Sequence, residues 1–503
     1  MKTINKLGKK LIAGLMMLAM VLVVLAPNAG ALSLGMNLIT TGPVPPGTGG
    51  NAGSERPSIS ADGTKIVFSS VAADLIPGLT PTGPWQIYLY DTVTATTKLI
   101  TAGPLGEGGD ASSYYPAISA DGSKITFVSN ASDLIPGKTI DTNQYYIYDV
   151  ATGITTLITA GPTGTGADGW TWGSASISAN GSKVAFNSDA SNLVGANTDG
   201  FYANIFLYDV ATATTTLITK GLGLLGGDNS STLPTISADG TRIVFTSTAT
   251  DLISGFTTND NFNVYLYNVT TGTTSLITKG PSPYIGSDDI NRSYATDISA
   301  DNNLIVFSSI ATDLIDGITA NRNQNIFLYN VTTGVTTLVT AGPSGVGGDY
   351  NSFSPSISAN GSVIGFSSIA TDLIDGTTTG GGGVQNVYIY DVATGLIELI
   401  TKGSSGTGGV YGSNRPTFSA SGCTLTFHSY ATDLIAGKTI IGHGDIFAYS
   451  RCAEPTPPTP PTVNPPASGI NGTQTANWAT YAVLSAVAAI ALAGVMLVVV
   501  NRK

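Results

Sequence analysis

The stretch RPSISADGTKIVFSS, Arg56 to Ser70, decides the fold because it returns six more times along the chain. The later copies read YPAISADGSKITFVS, SASISANGSKVAFNS, LPTISADGTRIVFTS, ATDISADNNLIVFSS, SPSISANGSVIGFSS and RPTFSASGCTLTFHS. Taking Phe68, Phe127, Phe186, Phe245, Phe307, Phe366 and Phe427 as markers, successive copies lie 59, 59, 59, 62, 59 and 61 residues apart. So regular a period marks a repeat architecture in which each unit is one supersecondary element, and the small length changes belong in loops.

Working outward, each unit reads as four strands rich in β-branched and aromatic residues. Strand a lies around SIS, b is KIVFSS, c is QIYLYD (Gln86 to Asp91) and d is TTKLIT (Thr96 to Thr101). Asp62-Gly63 joins a to b, and Thr152-Gly153 joins c to d in the second unit, since Gly takes the positive φ that tight hairpins need. Seven such units predict an all-β, seven-bladed β-propeller of four-stranded antiparallel blades. A solenoid would also be repetitive, but its ends stay open and need caps.

The two ends of the repeat array decide between them. The phrase KLITAGP (Lys98 to Pro104) closes each unit, and a version of it, NLITTGP (Asn37 to Pro43), stands before the first unit with nothing to close. The seventh unit runs from DIFAYS (Asp445 to Ser450) straight into Cys452 with no LIT strand of its own. We therefore expect Met36 to Thr41 to pair beside Asp445 to Ser450, completing the last blade and removing an exposed edge. Cys423, at the start of strand b of that unit, and Cys452, just past strand c, are the only cysteines. Antiparallel pairing brings them face to face, so a disulfide is expected, contributing roughly 3 to 4 kcal/mol by loop entropy.

The core P-x-I-S-A-D-G-x-K-I-x-F-x-S, the ATDLI after it (Ala249 to Ile253, Ala370 to Ile374) and IYLYDVATGxTTLIT together resemble the WD40-like repeats of TolB-type propellers, over about Leu34 to Tyr449. The resemblance implies the fold; functions in that group range from translocation proteins to surface modules and propellers attached to peptidases. The peptidase version carries a hydrolase domain with a G-x-S-x-G elbow, which this chain lacks.

Outside the repeats, four lysines (Lys2, Lys6, Lys9, Lys10) precede an apolar run, Leu11 to Ala26, and Ala29-Gly30-Ala31 follows. Residues 1–31 thus read as a signal peptide. Residues 32–453 are the propeller, and 454–478, with EPTPPTPPTVNPP, are a Pro-rich stalk. Residues 479–500 are apolar enough for a C-terminal transmembrane helix, and the basic tail 501–503 would be cytoplasmic. The expected location is the cell surface, with the propeller outside. The formal net charge is −11, with six of the 21 basic residues in the leader and tail, which argues against a nucleic-acid partner.

All d-to-a and b-to-c loops should share one face. The Gly-rich d-to-a loops carry Asp110, Asp168, Asp228, Asp289 and Asp349 at nearly one offset before strand a. They are candidates to hold a cation, Ca²⁺ being the ion such oxygens suit, or a cationic ligand. The aromatics Tyr114, Tyr115, Trp170, Trp172, Tyr350 and Phe353 are candidate stacking platforms. The competing reading, favoured by the Gly-rich context, is that each Asp bonds backbone N–H groups of its own turn. Asp74, Asp133, Asp251, Asp313, Asp372 and Asp433, with Asn192 in the third unit, read as residues that hold the b-to-c turn. His428 and His443 lack companions for a metal site. No catalytic motif or cofactor signature is present. The expected function is non-catalytic binding or adhesion to an extracellular protein or glycan, by a monomer; a glycan-acting lyase or hydrolase using mouth carboxylates, or a structural coat component, are the alternatives.

Overall fold

The computed structural model describes residues 32–452, apart from 43–48, 80, 82–83, 137–141, 162–163, 172, 196–200, 224, 256–260, 280–292, 316–321, 343–344, 376–382 and 437–442. The expected leader, stalk and transmembrane helix lie outside these residues. Among the described residues no helix is long and apolar enough to cross a membrane.

The described strands form seven four-stranded antiparallel sheets. In the first, strands a to d are Ser54–Ile59, Lys65–Ser70, Gln86–Asp91 and Thr96–Leu99. Strand a begins four residues ahead of SIS, whereas strand d is shorter than TTKLIT and ends its ladder with Ile100 N–H donating to the Ile87 carbonyl at 2.8 Å. The a-to-b turn places Gly63 at φ 71°, and the c-to-d turn of the second blade places Gly153 at φ 73°.

Every blade is packed on both faces, which is why strand b reads as a near-continuous apolar run. The marker Phe stacks on an aromatic directly opposite on strand c in all seven blades, from Phe68–Tyr88 (5.8 Å between centroids) to Phe427–Phe447 (5.7 Å). Such cross-strand aromatic pairs fix the register of b against c.

Seven hydrophobic cores lie between successive blades. Six join consecutive units, and in the seventh Ile39, Ile446 and Ala448 of the last blade pack on Ile59, Ile66 and Phe68 of the first. The ring is therefore closed. Closure is made by Gly35–Leu38, which pairs antiparallel with Ser450 to Phe447. Ile39 N–H adds a bond to the Ile446 carbonyl at 2.9 Å, so the ladder starts one residue ahead of Met36. On the face of the a-to-b turns a circle of bonds links neighbouring blades, including Ala61 N–H to Ala120 O (2.8 Å), Ala300 N–H to Ala359 O (2.9 Å) and, across the seam, Ala420 N–H to Ala61 O (2.9 Å). Cys423 and Cys452 form a disulfide with their Cα atoms 4.9 Å apart.

Candidate functional site

The inner strands surround a central channel of ≈ 750 Å³, lined by strand a of every blade. Its shape comes from a recurrent irregularity. In five blades the pairing of a with b shifts register around an X-Pro step, as between Glu55 and Ser58 or between Asn414 and Thr417. The residue before the proline then takes a left-handed backbone: Arg56 (φ 58°), Tyr115 (55°), Leu233 (53°), Ser354 (46°) and Arg415 (57°). A residue before proline normally stays extended, and a left-handed non-Gly residue costs on the order of 1–3 kcal/mol. Each bulge re-aims its side chain, and all five line the channel.

Blades three and five depart from this rule. Ser174-Ala175 and Ala295-Thr296 replace X-Pro there. In the third blade strand a shrinks to Ser176–Ile177, with Gly173 at φ 88° taking up the bend. In the fifth, Asp297 stands where other blades carry Ser, Thr or Ala and faces the channel. Its oxygens accept from Ile298 N–H (2.9 Å) and from Ile357 N–H of the next blade (3.0 Å). Burial nevertheless pushes its carboxyl up to about 6, against the pull of those two bonds.

The first and last blades give the channel a cationic wall. Arg56 Nε donates to Glu55 Oε1 at 3.0 Å, and its guanidinium lies 4.0 Å from the Tyr115 ring centroid. Arg415, at the equivalent position next door, makes no ion pair among the described residues. Its side chain is exposed to the channel, yet desolvation by the surrounding walls, and then Arg56, lower its pKa. His428 lies behind them, 4 % exposed, with Nδ1 3.3 Å from Asn414 Oδ1 and its ring edge-on to Tyr430. Burial, followed by Arg415 and Arg56, drives it down to about 4, so it is neutral at pH 7.

The loop-face aspartates sit elsewhere, each engaged within its own blade. Asp110 accepts from Ser132 N–H (2.7 Å) and Ser132 Oγ (2.6 Å). Asp168 does the same with Ser191, Asp228 with Thr250 and Asp349 with Thr371. In return Asp133, Asp251 and Asp372 accept the N–H of Asp110, Asp228 and Asp349 at 3.1, 3.0 and 3.0 Å, with Asn192 serving Asp168. The d-to-a loop and b-to-c turn of a blade thus hold each other. A glycine is needed at this junction: a Cβ on Gly221 would meet Asp251 Oδ2 at 1.9 Å. The serine bonds, above all, keep the Asp110 carboxyl below its usual value, whereas burial and then the neighbouring Asp228 raise Asp251. Asp289 and Trp172 lie outside the described residues. Among those described, no three His, Cys, Asp or Glu are grouped so as to hold a metal ion.

Of the aromatic candidates, Tyr115 and Phe353 line the channel. Tyr114 packs between Trp85 and Tyr115. Trp170 (68 % exposed) and Tyr350 (49 %) stand on the loop face, with Leu105, Phe201 and Tyr411 also exposed there. Sequence reasoning missed Arg56, Arg415 and Asp297. The available signal was the alignment of the repeats at the step before proline, where Arg, Tyr, Leu, Ser and Arg alternate inside an otherwise uniform motif.

Fold and site together define the class: a seven-bladed β-propeller with a closed ring and an accessible channel. Among solved structures it is similar to oligogalacturonate lyase from Vibrio parahaemolyticus (13% identity, 84% of this chain and 98% of that one, TM-score 0.48). It is also similar to TolB from Acinetobacter baumannii (17%, 70% and 64%, TM-score 0.36). The propeller domain of the Trilobed protease from Pyrococcus furiosus, described as having an open velcro topology, matches at 12% identity over 79% of this chain and 95% of that one, with TM-score 0.46. These likenesses concern the fold. No protein-family model and no curated protein matches the chain.

Proposed function

We propose that this is an exported propeller, held at the membrane by residues 479–500, that binds an extracellular ligand without transforming it, and that the central channel and surrounding loop face form its site. The observation that carries the reading is the series of X-Pro bulges. The same strained backbone is kept in five blades while the side chain it presents changes from Arg to Tyr, Leu, Ser and Arg. Strain retained at one level of a cavity is the signature of a site held in advance of its ligand. The exposed Trp170, Tyr350 and Tyr411 extend that surface outward.

The test is a screen of the purified chain against glycans and extracellular proteins, with Ca²⁺ and with chelator. A retained ligand should be released by Ser354→Trp, which fills the channel, with the melting temperature unchanged. Retention unaffected by the plug refutes the channel reading. A second reading, a glycan-acting lyase or hydrolase, draws support from Asp297, a channel carboxyl raised to about 6 and so near the range of a general acid or base. It requires new reducing or unsaturated ends on incubation with polysaccharides, abolished by Asp297→Asn.

A further inference from the structure

We infer that the seam between the first and last blades forms an oxyanion site that takes one carboxylate group from the ligand, held by the guanidiniums of Arg56 and Arg415. The inference rests on the channel being the binding site and names the chemistry it would select.

The two arginines occupy the same repeat position on blades made neighbours only by ring closure. Both are displayed by a left-handed bulge that lines the channel. Arg56 is already oriented, by its Nε bond to Glu55 and by the Tyr115 ring beneath it. Its terminal nitrogens meet no acceptor among the described residues, nor does any side-chain nitrogen of Arg415. Arg56 is half-buried and Arg415 exposed to the channel, so both forks of donors are open to a ligand there, and that fork matches the planar oxyanion of a carboxylate or phosphate. A chain with 32 acidic residues against 21 basic ones has acids to spare, yet brings only Glu55 to this wall. The one acid among the described residues lining the channel, Asp297, belongs to the fifth blade and has both oxygens bonded to backbone N–H groups.

The balance of charge selects the anion. Two guanidiniums against Glu55, beside a neutral His428, leave one positive charge uncompensated. That suits a singly charged carboxylate better than a doubly charged sulfate or phosphate. The walls beside the arginines are apolar, with Pro57, Pro116, Pro416, Ile59 and Phe418, so the body of the ligand meets rings and methyl groups. The volume, ≈ 750 Å³, is that of a small-molecule pocket.

The experiment is calorimetric titration of the purified chain at low salt with glucuronate, N-acetylalanine, glucose and inorganic sulfate. Glucuronate, N-acetylalanine or both should bind, more weakly as salt is raised, and glucose should not. Binding of glucuronate alone assigns the carboxylate to a sugar, and of N-acetylalanine alone to a peptide terminus. Arg415→Gln should cost roughly 10-fold or more in affinity with an unchanged melting temperature. Should that variant melt early, Arg415→Lys replaces it; it keeps the charge but loses the fork, and a smaller but measurable loss is expected. The inference is overturned if neither carboxylate binds, if sulfate binds more tightly than both, or if the folded variant binds as the parent does. A screened ligand released by Ser354→Trp yet indifferent to Arg415→Gln would leave the channel reading standing and remove only the oxyanion site.

Discussion

Six blades are made from one continuous stretch of chain each, and the seventh from two stretches about 400 residues apart, Gly35–Leu38 and Ser413–Ser450. Both kinds use the same contact at the junction of strands c and d. In the first blade Thr101 Oγ1 donates to Gln86 Oε1 (2.6 Å) and accepts Ile87 N–H (3.0 Å). In the last, Thr40 Oγ1 donates to Asp445 Oδ1 (2.8 Å) and accepts Ile446 N–H (3.1 Å). The difference is the group beside the shared oxygen. Six blades carry Gln or Asn here, and the amide's NH₂ donates onward, as from Asn204 to Tyr202 O (3.0 Å) or Asn325 to Asn323 O (2.9 Å). Asp445 is 1 % exposed and its Oδ2 has no partner among the described residues. The seam is therefore the one junction whose strength depends on a proton.

The most damaging change to the seventh blade should be deletion of residues 34–42. Leu38 and Ile39 are buried in the two cores flanking that blade, and withdrawing them alone forfeits roughly 3–6 kcal/mol of apolar burial. A large fall in the denaturation midpoint is expected; an unchanged midpoint would show that the ring does not rely on this strand.

A smaller effect, opposite in sign, is expected of Asp445→Asn. Burial raises the Asp445 carboxyl from 3.8 to about 6, against the lowering pull of Thr40, Gly50 and His443, with Asp74 adding to the rise. A group whose folded value lies above its unfolded value contributes stability that is fully present below about pH 4 and is lost as pH rises through 6. Over that interval the loss is about 3 kcal/mol. The asparagine variant should therefore be more stable than the parent at pH 7 to 8, converging toward it near pH 4, as read from chemical denaturation at several pH values. A parent whose stability is flat from pH 4 to 7 would contradict the comparison.

The smallest effects belong to the loop latches, which the continuous blades share. Asp228→Ala removes two bonds to Thr250 at a largely exposed site and should cost about 0.5–1.5 kcal/mol. The equivalent Val410 of the seventh blade never had such a carboxylate, so Val410→Asp tests whether one can be added there. Loss of ligand retention by Asp228→Ala without loss of stability would instead return this residue to the list of binding groups.

Much of this architecture was legible in the repeats. The Phe markers and the Asp-Gly turns announce seven hairpin-rich units, and NLITTGP standing alone announces the closure, because strand pairing and tight turns are written in local residue types. The aspartates of the Gly-rich loops attracted attention for the same reason. What stayed hidden was a matter of direction. X-Pro ordinarily means extended backbone, so nothing local signals that Arg56 and Arg415 turn left-handed and face inward. Sequence reasoning passed over Asp445 in its column of Gln and Asn, and its surroundings depend on Thr40 and Gly50, about 400 residues away.

The Cys423–Cys452 link also has a mechanical side. Strand c of the last blade lies between strand b and the borrowed Gly35–Leu38. Tension applied to the chain beyond residue 452 would by itself unzip strand c one rung at a time, starting at Ser450. With the crosslink in place the pull passes at Cys452 directly into Cys423, so strands b and c are loaded together and strand c cannot be peeled away alone.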